Sequence, residues 1–155
     1  MEGKYLHFQI EGESFAIPIF VVGDIVPCSI VRNGVISSHG VIIPKAIVLK
    51  ETIVPIVDIK KLFQFCETEP SQKVIIVNNG ETFGIPVDSL VGVVVAEDKE
   101  IDHNLAVRLF GDDSPINGII KKGDRYISVI GTDKLSKITK IQSEQKEVVN
   151  YAKCS

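Results

Sequence analysis

An internal repeat is the feature that most constrains how this 155-residue chain can fold. Residues 12–19, GESFAIPI, return 68 positions later as residues 80–87, GETFGIPV, with five of the eight positions identical. The order of the neighbouring segments repeats as well, because residues 46–62 align with residues 118–135 if one additional residue is allowed. The chain is therefore predicted to contain two copies of one supersecondary unit.

The composition indicates that this unit is made of strands. Hydrophobic residues form 45% of the chain and aromatic residues only 6%, and Val and Ile dominate, as is typical of pleated, half-buried surfaces. Short apolar runs bounded by turn residues predict about five strands and a helix in each copy. Five such strands can close on themselves, which removes exposed edges. We therefore expect an all-β fold of two linked β-barrels, forming one domain over residues 1–155 with approximate halves at 1–72 and 73–155.

Local signals predict where several elements begin and end. Asn33-Gly34 is a strong turn dipeptide and is expected to close a strand over residues 25–31, and Pro44 is expected to stop the next apolar run. Asp58 precedes apolar residues at helical spacing, so it is a candidate N-cap. Residues 97–114 are predicted to be a loop with at most one helical turn. The other predicted features are a hairpin turn at residues 50–52, a connection at 66–72, a turn at 122–124 and a terminal helix beginning at Thr132 or Asp133.

Charge and motif content exclude several classes of function. The net charge of −3, without any run of five basic residues, argues against nucleic acid as a partner. No segment has the roughly 18 consecutive apolar residues of a membrane span, and the N-terminus lacks a signal-peptide pattern, so we expect a cytoplasmic protein without membrane insertion. The three cysteines form no CxxC pair, which favours reduced thiols over a metal site.

Catalytic and cofactor-binding patterns are also missing. Neither the P-loop nor the dinucleotide-binding glycine pattern occurs, and the acidic residues lack calcium-loop spacing. His39 follows Ser37 and Ser38, but small polar residues beside a glycine are typical of a turn. We therefore expect no enzyme activity, no cofactor and no metal, and a module that binds other proteins.

The ordered segments GESFAIPI, VVGDIV, TIVPIVDIKKLF, GETFGIPVDSLVGVV and INGIIKKGDRYISVIGTDKL resemble the CheW-like domain over nearly the whole chain. The strongest similarity is between TIVPIVDIKKLF and the family pattern IVPVIDLRxxF. The resemblance implies two five-stranded SH3-like β-barrels with exchanged strands and a C-terminal helix. It also implies a non-catalytic adaptor of bacterial chemotaxis or a related two-component pathway. The implied partners are the regulatory domain of a CheA-type histidine kinase and the cytoplasmic tip of a chemoreceptor.

The same resemblance implies which residues contact the partners. Asp24 in Val22-Gly23-Asp24-Ile25 matches the acidic residue of the family's V-x-E-I motif. Lys50 falls at the family's receptor-facing arginine, where it keeps the charge and loses the planar fork of the guanidinium. Glu51 replaces a glycine that tolerates positive φ. The implied partner-binding residues are Val22, Asp24, Lys45, Val48, Lys50 and Glu51.

Two alternatives remain open at this stage. The family's GVINLRG segment is replaced here by residues 45–51, KAIVLKE, which lack both glycines, the asparagine and the arginine. A diverged relative could therefore keep only barrel-to-barrel association, including self-association. A different class is a small-ligand-binding or enzymatic β-barrel that uses the acidic residues 97–113 and a histidine such as His103.

Overall fold

The computed structural model describes residues 2–37 and 39–137 of the chain, and these residues are mostly in β-strands, which confirms the all-β prediction. Residues 132–137 are helical, as expected for a helix that begins near Thr132, and its predicted extension lies outside the described residues. Short 3₁₀ turns occupy Ile19–Val21, Cys28–Ile30 and Asp98–Glu100. The strands are β1 (Glu2–Ile10), β2 (Glu13–Pro18), β3 (Val22–Pro27), β4 (Arg32–Ile36), β5 (Ile42–Leu49), β6 (Thr52–Pro55), β7 (Lys73–Asn78), β8 (Thr82–Val87), β9 (Ser89–Glu97), β10 (Ile101–Asp102), β11 (Ile116–Lys122) and β12 (Arg125–Ile130), and the helices are α1 (Ile59–Leu62) and α2 (His103–Phe110).

The described strands form two groups with the same internal order. One group is a six-stranded sheet in the order β9-β1-β2-β12-β11-β10. The other consists of the sheets β3-β7-β8 and β4-β5-β6, which are joined by a parallel bridge between Ile56 and Gly84. β2 and β12 also pair in parallel at the corresponding place in the first group. The opening hairpin of each half therefore forms hydrogen bonds with strands of the other half.

The repeated segments are structural hairpins, as their sequence predicts. β1 and β2 pair from Tyr5–Pro18 to Ile10–Glu13, and β7 and β8 pair from Lys73–Val87 to Asn78–Thr82. Gly12 has φ 79° and Gly80 has φ 100°, values that a residue without Cβ adopts at little cost.

The main core joins the two groups. Its buried side chains come from both opening hairpins and include Phe8, Phe15, Ile75, Phe83 and Ile85. Two smaller clusters lie one in each group, around Ile120 and Ile127 and around Ile47 and Val54.

The prediction that Asn33-Gly34 closes a strand is wrong. The strand expected over residues 25–31 ends at Pro27, and a 3₁₀ turn follows it. Asn33 and Gly34 lie inside β4, because β4 pairs with β5 across the dipeptide. Pro44, which was expected to stop a strand, lies inside β5 between the partners Ile43 and Lys45. Cross-strand pairing thus overrides the local turn signal.

The acidic segment 97–114 is more ordered than its sequence predicts. It contains a 3₁₀ turn, the short strand β10 and the eight-residue helix α2. The Asp102 carboxylate accepts a hydrogen bond of 2.8 Å from the Leu105 amide and so caps α2, and Gly111 with φ 85° ends it. The expectation of at most one helical turn is therefore wrong. Leu105, Ala106, Leu109 and Phe110 have helical spacing, so the sequence does contain a signal for α2.

Candidate partner-binding site

Val22 and Asp24 lie at the start of β3, an edge strand of its sheet. The pairing of β3 with β7 shifts register between these two residues, so Gly23 forms a bulge. Asp24 is exposed, and its Oδ1 accepts a hydrogen bond of 2.8 Å from the Ile25 amide. A bulge bends its strand and changes the direction of the neighbouring side chains, and bulges are common next to functional sites.

Lys45, Val48, Lys50 and Glu51 belong to the β5–β6 hairpin, where all four are exposed. Leu49 pairs with Thr52, so the turn predicted over residues 50–52 consists of Lys50 and Glu51, and Thr52 begins β6. Lys50 has φ 55°, a left-handed conformation that costs a residue with Cβ roughly 1–2 kcal/mol. Lys50 rather than Glu51 holds the positive φ, and the hairpin tip presents an exposed cation next to an exposed anion.

The strands that carry these two sets of residues pack into one buried cluster. Val26 of β3 packs in the same buried cluster as Ile47 of β5 and Val54 of β6. Within residues 2–37 and 39–137, neither Asp24 nor Lys50 takes part in an ion pair. Both charges are therefore available to a partner on a common rigid support.

A buried ion cluster that the sequence analysis missed joins the two halves. Lys60 of α1 lies 2.9 Å from Glu11 Oε1 and 2.9 Å from Asp88 Oδ1, and only 8% of its side chain is exposed. Its Nζ also donates to the Glu69 carbonyl. Glu11 in turn accepts hydrogen bonds from the Thr68 hydroxyl and from the amides of Thr68 and Glu69. The cluster thus ties the first hairpin, α1, the connection between the copies and the end of β8 together.

The environment of the cluster favours its charged forms. The hydrogen bond from the Thr68 hydroxyl, supported by the Glu69 amide and Lys60, lowers the pKa of Glu11 to about 2. Burial acts to lower the pKa of Lys60, but hydrogen bonds and charge attraction from Glu11 and Asp88 outweigh it, so that pKa is raised. Glu11 and Lys60 are therefore ionised at neutral pH.

Three acidic residues of the segment 97–113, Glu97, Glu100 and Asp102, form ion pairs within the fold. Glu100 pairs with Lys122 at 2.7 Å, and Asp102 pairs with Lys121 at 3.2 Å. The Glu97 amide, through its hydrogen bond, and Lys122 lower the pKa of Glu100. His103 Nδ1 lies 2.6 Å from the Asn117 carbonyl. In the part of the chain that the structure describes, no group of three or more His, Cys, Asp or Glu side chains could hold a metal ion.

Exposed apolar residues mark further surfaces that the sequence analysis missed. Phe20, next to β3, is 84% exposed and lines a groove of about 580 Å³. Ile36 and Ile42 are exposed on the β4–β5 hairpin, and α2 exposes Leu109 and Phe110. The sequence offered one sign of the β4–β5 surface, which is that residues 25–50 contain no acidic side chain. No helix among the described residues is long and apolar enough to cross a membrane.

Comparison with known proteins agrees with this architecture of paired strand groups. The family model of the CheW-like domain matches residues 4–140. The chain therefore belongs to the CheW-like domain family, which supports a chemotaxis-type adaptor, and the fold predicted from the resemblance is confirmed. The chain is similar to the crystal structure of the scaffolding protein TtCheW from Thermoanaerobacter tengcongensis, with 26% identity, a TM-score of 0.70 and 84% of each chain covered. No curated protein sequence matches the chain.

Proposed function

We propose that this protein is a cytoplasmic, non-catalytic adaptor that couples a chemoreceptor to a CheA-type histidine kinase. Membership of the CheW-like family supports the adaptor class, and the exposed charges carry the more specific proposal. Asp24 and Lys50 are unpaired among the described residues and stand on strands that share one buried cluster. An adaptor needs such fixed charges, because it acts by holding its partners in a defined geometry.

We assign the partner contacts to two regions of this unit. Val22 and Asp24 offer an apolar and an acidic contact on the bulged edge of β3. Lys45, Val48 and the Lys50-Glu51 turn offer a mixed charged and apolar contact on the β5–β6 hairpin. Lys50 has one ammonium in place of a guanidinium fork, so it is a point-charge contact that tolerates small changes in partner orientation.

We also propose that residues 1–155 act as a single domain with halves at 1–72 and 73–155. The hydrogen bonding of each opening hairpin with strands of the other half supports this view. The buried Lys60 cluster supports it too, because its groups come from both halves. A scaffold whose halves are joined in this way can hold two partners in a fixed relative orientation.

The proposal is tested by titrating the full chain with the purified regulatory domain of a CheA-type kinase and with receptor fragments from the same cell. Asp24→Lys and Lys50→Glu should each weaken receptor binding at least tenfold, which corresponds to about 1.4 kcal/mol. Both variants should keep the melting temperature within a few degrees, because the two side chains are exposed.

Matched controls separate a local contact from a general charge effect. Glu13→Lys and Lys4→Glu reverse the same charges at exposed positions outside the assigned contacts, and both should bind as the wild-type protein does. Failure to bind any CheA-type kinase or receptor would contradict the proposed coupling. Kinase binding without receptor binding would instead support a diverged adaptor that keeps barrel-to-barrel association alone.

A further inference from the structure

A buried histidine of β1 lies outside the candidate partner-binding site. His7 is only 5% exposed, and its Nε2 has no hydrogen-bond partner in the described part of the chain. Among the described residues, no other buried side-chain nitrogen or oxygen lacks a partner. Buried polar groups of folded proteins nearly always have one, because an unpaired polar atom away from water costs free energy. The imidazole therefore needs a physical explanation.

The strands beside His7 surround it with small or apolar side chains. His7 is paired with Ala16 of β2 and with Gly92 of β9, and neither neighbour is titratable. Tyr5 shares its face of β1, because residues two apart on a strand lie on the same face, and Tyr5 packs against the smaller buried cluster of this strand group. Burial and the charge of Asp98 raise the pKa of Tyr5, so its phenol is neutral.

The charged groups around His7 offer no counter-charge for an imidazolium. Arg125, at the start of β12, is the charge whose field acts on the ring. Lys122 of β11 pairs with Arg125 across the ladder and is itself bound to Glu100. Burial and the positive charge of Arg125 both lower the pKa of His7 from its ordinary value of 6.5. The site therefore favours the neutral ring.

β9 is the neighbouring strand that is held least firmly. It ends the six-stranded sheet and pairs with β1 alone among the described strands, whereas β2 is held between β1 and β12. The register of the β1–β9 pairing shifts between His7 and Phe8, so the ladder is irregular at the histidine. Only Ala96 of β9 is fully buried. Release of β9 therefore exposes little apolar surface, and segments with few buried contacts open at the lowest free energy.

We propose that His7 makes the attachment of β9 to β1 sensitive to pH. Uptake of a proton places a second positive charge near Arg125, in an apolar site where no carboxylate balances it. Detachment of β9 brings the imidazolium into contact with water and removes this cost. Acidification thus releases β9, and any contact that the protein makes through β9 is lost with it. This role does not depend on which partners the protein binds.

The direction and size of the pH dependence follow from proton linkage. In the open form His7 has its ordinary pKa of 6.5, and in the closed form its pKa is lower. The closed form is therefore most stable above pH 6.5 and loses stability as the pH falls below that value. Because one proton is taken up, the opening equilibrium constant should rise about three- to tenfold between about pH 7.5 and pH 5.5.

The test is amide hydrogen exchange of the full chain, followed by NMR and expressed as protection factors, which correct for the intrinsic effect of pH on exchange. The β9 amides that bond to β1 should lose about three- to tenfold in protection between about pH 7.5 and pH 5.5. They should also be at least tenfold less protected than the amides of β7, because β9 opens without global unfolding.

Two histidine variants assign the effect to one ring. His7→Val removes the titrating group and keeps an apolar, strand-forming side chain, so the loss of protection on acidification should disappear. His39→Gln is the matched control, because it removes an exposed histidine and should leave the loss unchanged. Thermal melts at neutral pH show whether each variant is folded.

A third variant tests the charge argument without touching the buried ring. Arg125→Glu places a carboxylate near His7, which should stabilise the imidazolium and abolish or reverse the loss of protection. Because Arg125 is exposed, this variant is decisive even if His7→Val does not fold. A loss that persists in His7→Val or in Arg125→Glu, or equal protection of β9 and β7, would overturn the proposal. Constant protection of the wild-type β9 amides would show that His7 is a silent core residue and would overturn it as well.

Discussion

Replacing Lys60 with methionine should destabilise the protein more than its position on a four-residue helix suggests. Methionine keeps most of the apolar stem, so the change mainly removes the ammonium and its contacts with Glu11, Asp88 and the Glu69 carbonyl. Two carboxylates whose side chains are 7% and 10% exposed would then lie in the cluster without their cation. Breaking a buried ion pair by removing one partner costs about 3–5 kcal/mol.

The expected loss can be measured by urea denaturation and by calorimetry. For a chain of this length, 1 kcal/mol corresponds to about 2–4 °C, so the melting temperature should fall by about 6–20 °C. Lys61→Met is the matched control, because Lys61 is the next residue and is exposed. Its effect should stay within about 0.5 kcal/mol.

A second set of variants separates the ionic cause from the loss of packing. Adding Glu11→Gln and Asp88→Asn to Lys60→Met removes the uncompensated charges and should recover part of the stability. Glu11→Gln retains an oxygen that can accept from Thr68. If Lys60→Met cost no more than Lys61→Met, or if the added neutral substitutions destabilised it further, the reasoning about a buried, charge-balanced cluster would be refuted.

Three other predictions follow from the core and the cluster. The pKa of Glu11 in the folded protein is lowered from 4.5 to about 2, so its contribution to stability is complete above pH 4.5 and is lost as the pH falls towards 2. Glu11→Gln should therefore make the urea midpoint less dependent on pH between pH 4.5 and pH 2. Phe15→Ala and Phe83→Ala each empty a buried site and should cost about 3–5 kcal/mol in urea unfolding, whereas equal costs near zero would mean that the hairpins do not supply the core. Gly84→Ala would place Cβ 2.7 Å from Val74 Cγ1 and 2.9 Å from Ile56 Cδ1, so it should cost about 1–3 kcal/mol by calorimetry. A neutral result would show that these two side chains move aside at little cost.

Much of the fold could be predicted because it is encoded in local patterns. The turn glycines of the two repeated segments, the cap at Asp58 and the turn at residues 122–124 depend on nearby residues, and each occurs as expected. The two failures have different causes. Asn33-Gly34 has the chemistry of a turn, but pairing between β4 and β5 holds it in a strand. The helical spacing of Leu105, Ala106, Leu109 and Phe110 is present in α2, but the acidic residues around it favoured the prediction of a loop.

For the candidate site, the sequence indicated which strand or turn carries each residue, but it did not indicate which residues lie near each other in the folded protein. It located Asp24 next to the first repeated hairpin and Lys50 at a turn, and both are exposed there. Their common support by the cluster around Ile47 and Val54 depends on strands far apart in the chain, which only the folded structure brings together. The roles of these residues in binding stay predictions.

By itself, the sequence determined that this protein is built twice from one all-β unit, because repetition, β-branched composition and turn residues act over a few neighbouring positions. Only the tertiary structure decided how the two copies combine. Each opening hairpin completes the sheet of the other half, and Lys60 balances Glu11 and Asp88 at the junction. Those contacts join residues far apart in the chain, such as Glu11 and Asp88, which are 77 positions apart, and the paired residues Phe15 and Ser128. The physical reason is that burial and charge balance are properties of the assembled chain, and no local pattern of residues specifies them.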